Sequence, residues 1–198
     1  MKKGIAFSIM FLVVISFAIA QPFGIKMGMT LDDLIAMGCN PKPRDGLPHW
    51  YDITPPQTHP SFESYSVQIS KNYGVFAIVA FSKPTKTSVY GEAIKDEFDK
   101  IKNQISISYG QSKDYDLVKT GSIWDEPKDW MMALLKEERI LDAFWAPEYG
   151  SILPDDISSV SLHAGAPNIS TGLLALRYES ADYEEASAEI EAEQGSVF

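Results

Sequence analysis

An α+β fold, an antiparallel sheet with helices packed on it, is predicted by two kinds of apolar spacing in one chain. Period-two runs mark strands from Phe62, over 157–164 and over 171–178, and a stripe at steps of three and four marks a long helix between Tyr90 and Ile105. A nearly continuous apolar run, Tyr73 to Phe81, adds a strand that should be covered on both faces and hence be central in its sheet.

In chain order, Thr30 can cap a short helix, with Asp33 placed against its positive end. Leu31, Leu34 and Ile35 give that helix one apolar face, and Gly38 ends it. Pro41, Pro43, Pro48, Pro55, Pro56 and Pro60 then leave room for at most a brief strand around Trp50 to Thr54. Tyr65, Val67 and Ile69 alternate with Ser64, Ser66 and Gln68, and Lys71-Asn72 turns the chain into the apolar strand. The helical stripe is Tyr90, Ile94, Phe98, Ile101 and Ile105, ending near Tyr109-Gly110. Short strands are possible at 115–118 and 123–124, followed by a helix through Pro127 to Glu138 that Asp125 caps and that turns Trp130, Met131, Leu134 and Leu135 inward. Strands over 141–146, 157–164 and 171–178 complete the set, with Gly165-Ala166-Pro167-Asn168 as the last turn. The succession allows two similar α/β halves, 21–85 and 86–178, although no residue-level repeat supports them.

Residues 1–20 read as a cleavable secretory signal. Lys2 and Lys3 precede an uncharged apolar run that closes on Ala18-Ile19-Ala20, and Gln21-Pro22 follows. Cleavage after Ala20 leaves a domain over 21–178 and a tail over 179–198, in the periplasm or secreted, with no stable membrane span. Its single cysteine, Cys39, excludes an internal disulfide and reads as a buried small apolar residue. The formal charge of −10 becomes −12 once Lys2 and Lys3 leave, with 15 basic against 27 acidic residues. Seven of those acids follow Arg177 without a base, so 179–198 reads as an acidic, disordered tail. A chain of this charge repels nucleic acid and anionic membrane surfaces.

No catalytic, metal or cofactor signature stands out. His49, His59 and His163 make no pair at metal-ligand spacing, and Cys39 has no adjacent base. There is no Gly-x-Ser-x-Gly elbow and no phosphate loop. Asp155-Asp156 and Asp114-Tyr115-Asp116 lack the spacing of a calcium loop. Among the aromatics, Trp130 and Trp145 read as core. Trp50 and Tyr51, in a proline-rich segment beside His49 and before His59, are the candidate partner-contacting residues.

The elements Phe23-Gly24-x-x-x-Gly28-Met29-Thr30-x-x-Asp33-Leu34, Thr58-His59-Pro60-x-Phe62-Glu63-x-Tyr65, Tyr109-Gly110 and Trp124 together resemble a group of small exported bacterial proteins of unknown function. The shorter Gly28-Met29-Thr30-x-x-x-Leu34 unit also resembles those of β-lactamase-inhibitor-like proteins and of small outer-membrane assembly lipoproteins. The lipid-bearing cysteine of the latter is missing at the mature N-terminus. The resemblance implies architecture and export, and the weaker one implies an inhibitor-like role. The expectation is a non-enzymatic protein that binds a macromolecule, as an inhibitor, immunity factor or envelope accessory protein. The rivals are an exported hydrolase using Cys39, His49 or His59, and a small-ligand carrier with a cavity between helix and sheet.

Overall fold

A computed structural model describes residues 21–195, so the signal reading of residues 1–20 lies outside the described residues. The fold is α+β. Its strands are β1 (Lys42–Arg44), β2 (Leu47–Ile53), β3 (Phe62–Ser70), β4 (Gly74–Ser82), β5 (Thr85–Lys86), β6 (Lys113–Val118), β7 (Arg139–Trp145), β8 (Ile157–Asn168) and β9 (Thr171–Ser180). Its helices are α1 (Leu31–Ala36), α2 (Glu92–Tyr109), α3 (Trp130–Leu135) and α4 (Tyr183–Gly195). All pairings are antiparallel, in the order β1-β2-β3-β4-β9-β8-β7-β6, with β5 added to the start of β9. Strands β1–β4 and β6–β9 thus form two four-stranded runs of one sheet, which meet at the β4–β9 pair, where Ile78 faces Tyr178 and Val79 faces Arg177.

Strand alternation sorts side chains onto two faces. The core face carries Tyr65, Val67, Ile78, Ala80, Ala143, Trp145, Val160, Leu162, Leu174 and Leu176, all buried, against Leu34 of α1, Ile94, Phe98, Ile101 and Ile105 of α2, and Trp130, Met131 and Leu134 of α3. Four of the five residues of the predicted stripe are therefore core. Tyr90 is the exception: it precedes α2 and is exposed, because Gly91 opens the helix in a left-handed conformation.

Local chemistry explains where the other elements begin and end. In α1, Thr30 Oγ1 accepts the Asp33 N–H at 3.2 Å and the Asp33 carboxylate accepts the Thr30 N–H at 2.9 Å, a reciprocal cap. The Thr30 hydroxyl, which donates to the Asp33 carboxylate at 2.7 Å, and the Thr30 N–H together hold that carboxyl below the usual carboxylate range. The helix is short enough that Leu34 is buried while Ile35 points to solvent, which corrects the three-residue apolar face. The proline-rich stretch holds two strands rather than one brief one. Pro43 sits on the outermost strand, and Pro48 precedes the part of β2 that pairs with β3, positions where a missing N–H breaks no central ladder. The expected helix over 127–138 is a 3-10 turn, Pro127–Asp129, followed by α3; Asp125 does not cap it, and Glu137 at φ 55 turns the chain into β7. Strand β8 runs through the expected turn at 165–168, with irregular register between Gly165 and Asn168 accommodating Pro167. The reversal falls at Ile169-Ser170, where Asn168 Oδ1 accepts the Ser170 N–H at 2.9 Å.

The acidic tail needs the largest correction. Strand β9 runs to Ser180, and the expected disordered segment forms α4, which crosses the other face of the sheet over β3 and β4. Ala186 and Ile190 are buried against Phe76 and Ala77, with Tyr73 and Tyr183 packed around them. One acid of the tail serves as an anchor: Glu189 accepts the N–H groups of Lys71 and Asn72 at 3.0 and 3.2 Å, capping the β3–β4 turn. Burial of Ile190 and coverage of Phe76 each contribute about 1.5–3 kcal/mol, offset by the ordering of the segment. Removal of 181–198 is expected to cost about 2 kcal/mol, roughly 5 °C in a thermal melt. An unchanged melting temperature would show that α4 adds nothing to stability.

Candidate functional site

Helix α4 covers only the β3–β4 half of that second face. The half built by β6, β7, β8 and the start of β9 has no element over it among the described residues. Its side chains follow from register: Tyr115 and Leu117 on β6, Ile140, Asp142 and Phe144 on β7, Ser161 and His163 on β8, Leu173 and Ala175 on β9. Tyr115, Leu117, Ile140, Asp142 and Phe144, with Tyr149 from the following turn, line an open trough of about 410 Å³. Leu117 and Tyr149 are 46% and 45% exposed, so large apolar groups meet solvent here side by side. The rings are ordered edge to face: Tyr115 to Phe144 at 5.7 Å between centroids, and Phe144 to His163 at 5.4 Å. The Tyr115 hydroxyl beside Tyr149 pushes the Tyr149 phenol up, above its ordinary range.

At the inner edge of the trough, Asp142 Oδ1 lies 3.0 Å from His163 Nδ1, and His163 Nε2 lies 2.9 Å from Ser161 Oγ. Carboxylate, imidazole and hydroxyl thus stand in the order of a nucleophile relay. The surroundings serve a different purpose. Ser161 is only 6% exposed, and β8 lies between β7 and β9, whose ladders occupy its backbone donors. A reacting carbonyl would find neither open approach to Ser161 nor free N–H groups aimed at a developing oxyanion. The three groups act as a polar clasp between β7 and β8.

The four residues expected to contact a partner are dispersed. Trp50 lies on the α4 side of the sheet, with the Arg177 guanidinium 5.8 Å from its ring; Arg177 in turn donates to Glu179 at 2.7 Å and to the Tyr183 hydroxyl at 2.9 Å. His49, at φ 67, reaches Glu193 of α4 at 3.5 Å. Tyr51 points the other way and packs on the core. His59, beside Phe62, accepts the Ser61 N–H through Nδ1 at 3.2 Å and lines a crevice against α2. The two histidines therefore meet helices on opposite sides of the sheet. Cys39 is fully buried, and burial pushes its thiol up, away from the thiolate a nucleophile requires. Trp130 and Trp145 are core residues, as their sequence context indicates.

The cavity that a small-ligand carrier requires is represented by the crevice between α2 and the sheet. It measures about 220 Å³ and is lined by Phe23, His59, Ile101, Ile105, Tyr109 and Tyr178 among others. That volume is below the roughly 300–1,000 Å³ of ligand pockets. Its polar lining includes the paired Tyr109 and Tyr178 hydroxyls. Burial pushes both phenols up, Tyr178 far above its usual range, with the neighbouring Tyr109 adding to the shift. A raised folded-state value means that the stabilisation is complete below the unfolded tyrosine value of about 10 and is lost as pH rises beyond it. Stability is expected to fall by up to about 1.4 kcal/mol per pH unit for each such tyrosine above that point. Urea midpoints at pH 9 and 11 measure the fall, and Tyr178→Phe should make it shallower.

No family model, curated protein or solved structure matches the chain. Among the described residues, no cluster of three or more His, Cys, Asp or Glu side chains could hold a metal ion, and no helix is long and apolar enough to cross a membrane. The trough residues were absent from the sequence-based candidates, yet part of their signal is visible. Ile140 and Phe144 alternate with the buried Leu141, Ala143 and Trp145, so β7 is apolar on both faces. For α4 the signal is the spacing of Tyr183, Ala186 and Ile190, three then four residues apart, beneath the surrounding glutamates.

Proposed function

We propose that this chain is an exported, non-enzymatic binding protein, and that the open half of its sheet is the surface that meets another envelope or secreted protein. The observation that carries the reading is the trough: Tyr115, Phe144 and Tyr149 side by side with Leu117 and Ile140 on a rigid sheet, half-buried or exposed and without a covering element among the described residues. Aromatic side chains that are already ordered lose little entropy on binding and dominate interface energetics. The net charge favours a partner that inserts an apolar projection surrounded by basic residues, since a chain at −12 attracts a basic surface at long range.

The test is capture from the envelope fraction with wild type and with the double variant Tyr115→Ala, Phe144→Ala. A partner held by wild type should bind the variant at least about 30-fold more weakly, the equivalent of about 2 kcal/mol, while the variant keeps its fold by circular dichroism. Rising salt should slow association. Recovery of the chain alone as a monomer, or capture that the double variant leaves unchanged, counts against the proposal. The hydrolase reading has one observation in its favour, the Asp142–His163–Ser161 relay. A fluorophosphonate probe separates the two: the binding reading expects no adduct, and stoichiometric labelling of Ser161 would replace it with the hydrolase.

A further inference from the structure

We infer that Gln21 is a modification site, where the mature chain closes its own N-terminus as a pyroglutamyl lactam. The inference is independent of the trough and rests on cleavage after Ala20. That cleavage places glutamine, the side chain that can cyclise on its own α-amine, at the first position.

The structure supplies the conditions for it. Pro22 is buried, Ile25 is fully buried, and the Pro22–Gly24 turn is tied back by the Gly24 N–H donating to the Gln21 carbonyl at 3.0 Å and the Ile25 N–H donating to the Pro22 carbonyl at 2.9 Å. Packed structure is therefore present one residue after the cleavage point, and trimming beyond Gln21 would have to dismantle it. Gln21 itself is exposed. Its carboxamide makes no hydrogen bond to any other described residue, so nothing there holds it away from the amine.

In the reaction, the unprotonated α-amine attacks the side-chain carbonyl carbon, forming the C–N bond of a five-membered ring. The carboxamide C–N bond breaks, and its nitrogen leaves as ammonia, taking up the proton that the amine gives up. No oxidant, reductant or further reactant is consumed. An α-amine titrates at about 8, so an appreciable fraction is nucleophilic at neutral pH. Asp155 and Asp156 line the adjoining crevice. Lys26 lines the same crevice. The product has a neutral, blocked end in place of a charged one.

The experiment is intact mass and tandem mass spectrometry of the N-terminal peptide, on the full chain expressed with its own leader and recovered from the exported fraction. The expected mass is that of residues 21–198 less one ammonia, with no α-amine reacting with an acylating reagent. Gln21→Asn, which would have to close a strained four-membered ring, should keep its ammonia and a reactive amine. A chain that starts at Gln21 with a free amine, even after prolonged incubation at neutral pH, overturns the lactam and leaves the cleavage reading standing. A chain that starts at any other residue overturns both.

Discussion

Trp145→Ala is expected to destabilise the fold by about 3–5 kcal/mol, the largest single-residue loss the structure supports. Trp145 is fully buried near the end of β7, where its indole fills the space between the sheet and the C-terminal end of α2. Its Nε1–H donates to the Gly110 carbonyl at 3.1 Å and to Ser106 Oγ at 3.3 Å, so it also satisfies the carbonyl of the residue that terminates α2. Alanine removes the packing, opens a cavity and strands that carbonyl. Trp145→Phe separates the contributions: it keeps most of the volume, loses the donor, and should cost about 1–3 kcal/mol from the unsatisfied carbonyl and the smaller ring. Urea denaturation measures both. A loss below about 1 kcal/mol for the alanine variant would mean that the α2–β7 junction repacks without its central ring.

Gly74→Ala should be nearly as damaging for a different reason. Gly74 opens β4 at φ 64, a conformation that costs an L side chain of order 1–3 kcal/mol. A Cβ there would stand 2.3 Å from the Gly28 carbonyl oxygen and 2.7 Å from that of Met29, both backbone atoms without a rotamer to escape through. Those residues pair with β4, Gly28 N–H donating to the Val75 carbonyl and Val75 N–H to the Met29 carbonyl, each at 2.8 Å. The segment leading into α1 would have to lift off the sheet. Conformational strain and overpacking together predict a loss of about 3 kcal/mol or more. Gly46→Ala is the control. Gly46 has φ 72 but nothing within 4 Å of the added Cβ, so only the conformational cost of about 1–2 kcal/mol should remain. Equal losses at the two positions would exclude the steric contribution.

These positions mark what a linear reading reaches. Gly74 follows the readable turn at Lys71-Asn72, but its contact with Gly28 joins residues far apart in sequence, and no local pattern encodes it. Trp145 reads as core because it shares a face of β7 with Leu141 and Ala143; that its nitrogen serves the end of α2 depends on how the helix lies across the sheet. Prolines misled where edge position mattered. The prolines around β1 and β2 suppress the prediction of a hairpin, yet the outer edge of a sheet is where a missing N–H is tolerated. Charge misled in the tail, since seven acids obscure the small stripe of Tyr183, Ala186 and Ile190.

The amino-acid sequence by itself determined the class of the fold, the two-faced strands, the buried stripe of α2 and the capped start of α1, because each follows from residues within one or two turns or strand repeats of one another. The tertiary structure alone decided the order in which the strands join, the seating of α4 over β3 and β4, and the exposure of the other half of that face. Alternation shows that a strand has two sides. Which side a helix covers depends on contacts between distant segments, and here one half-face stays open because α4 lies over the other half.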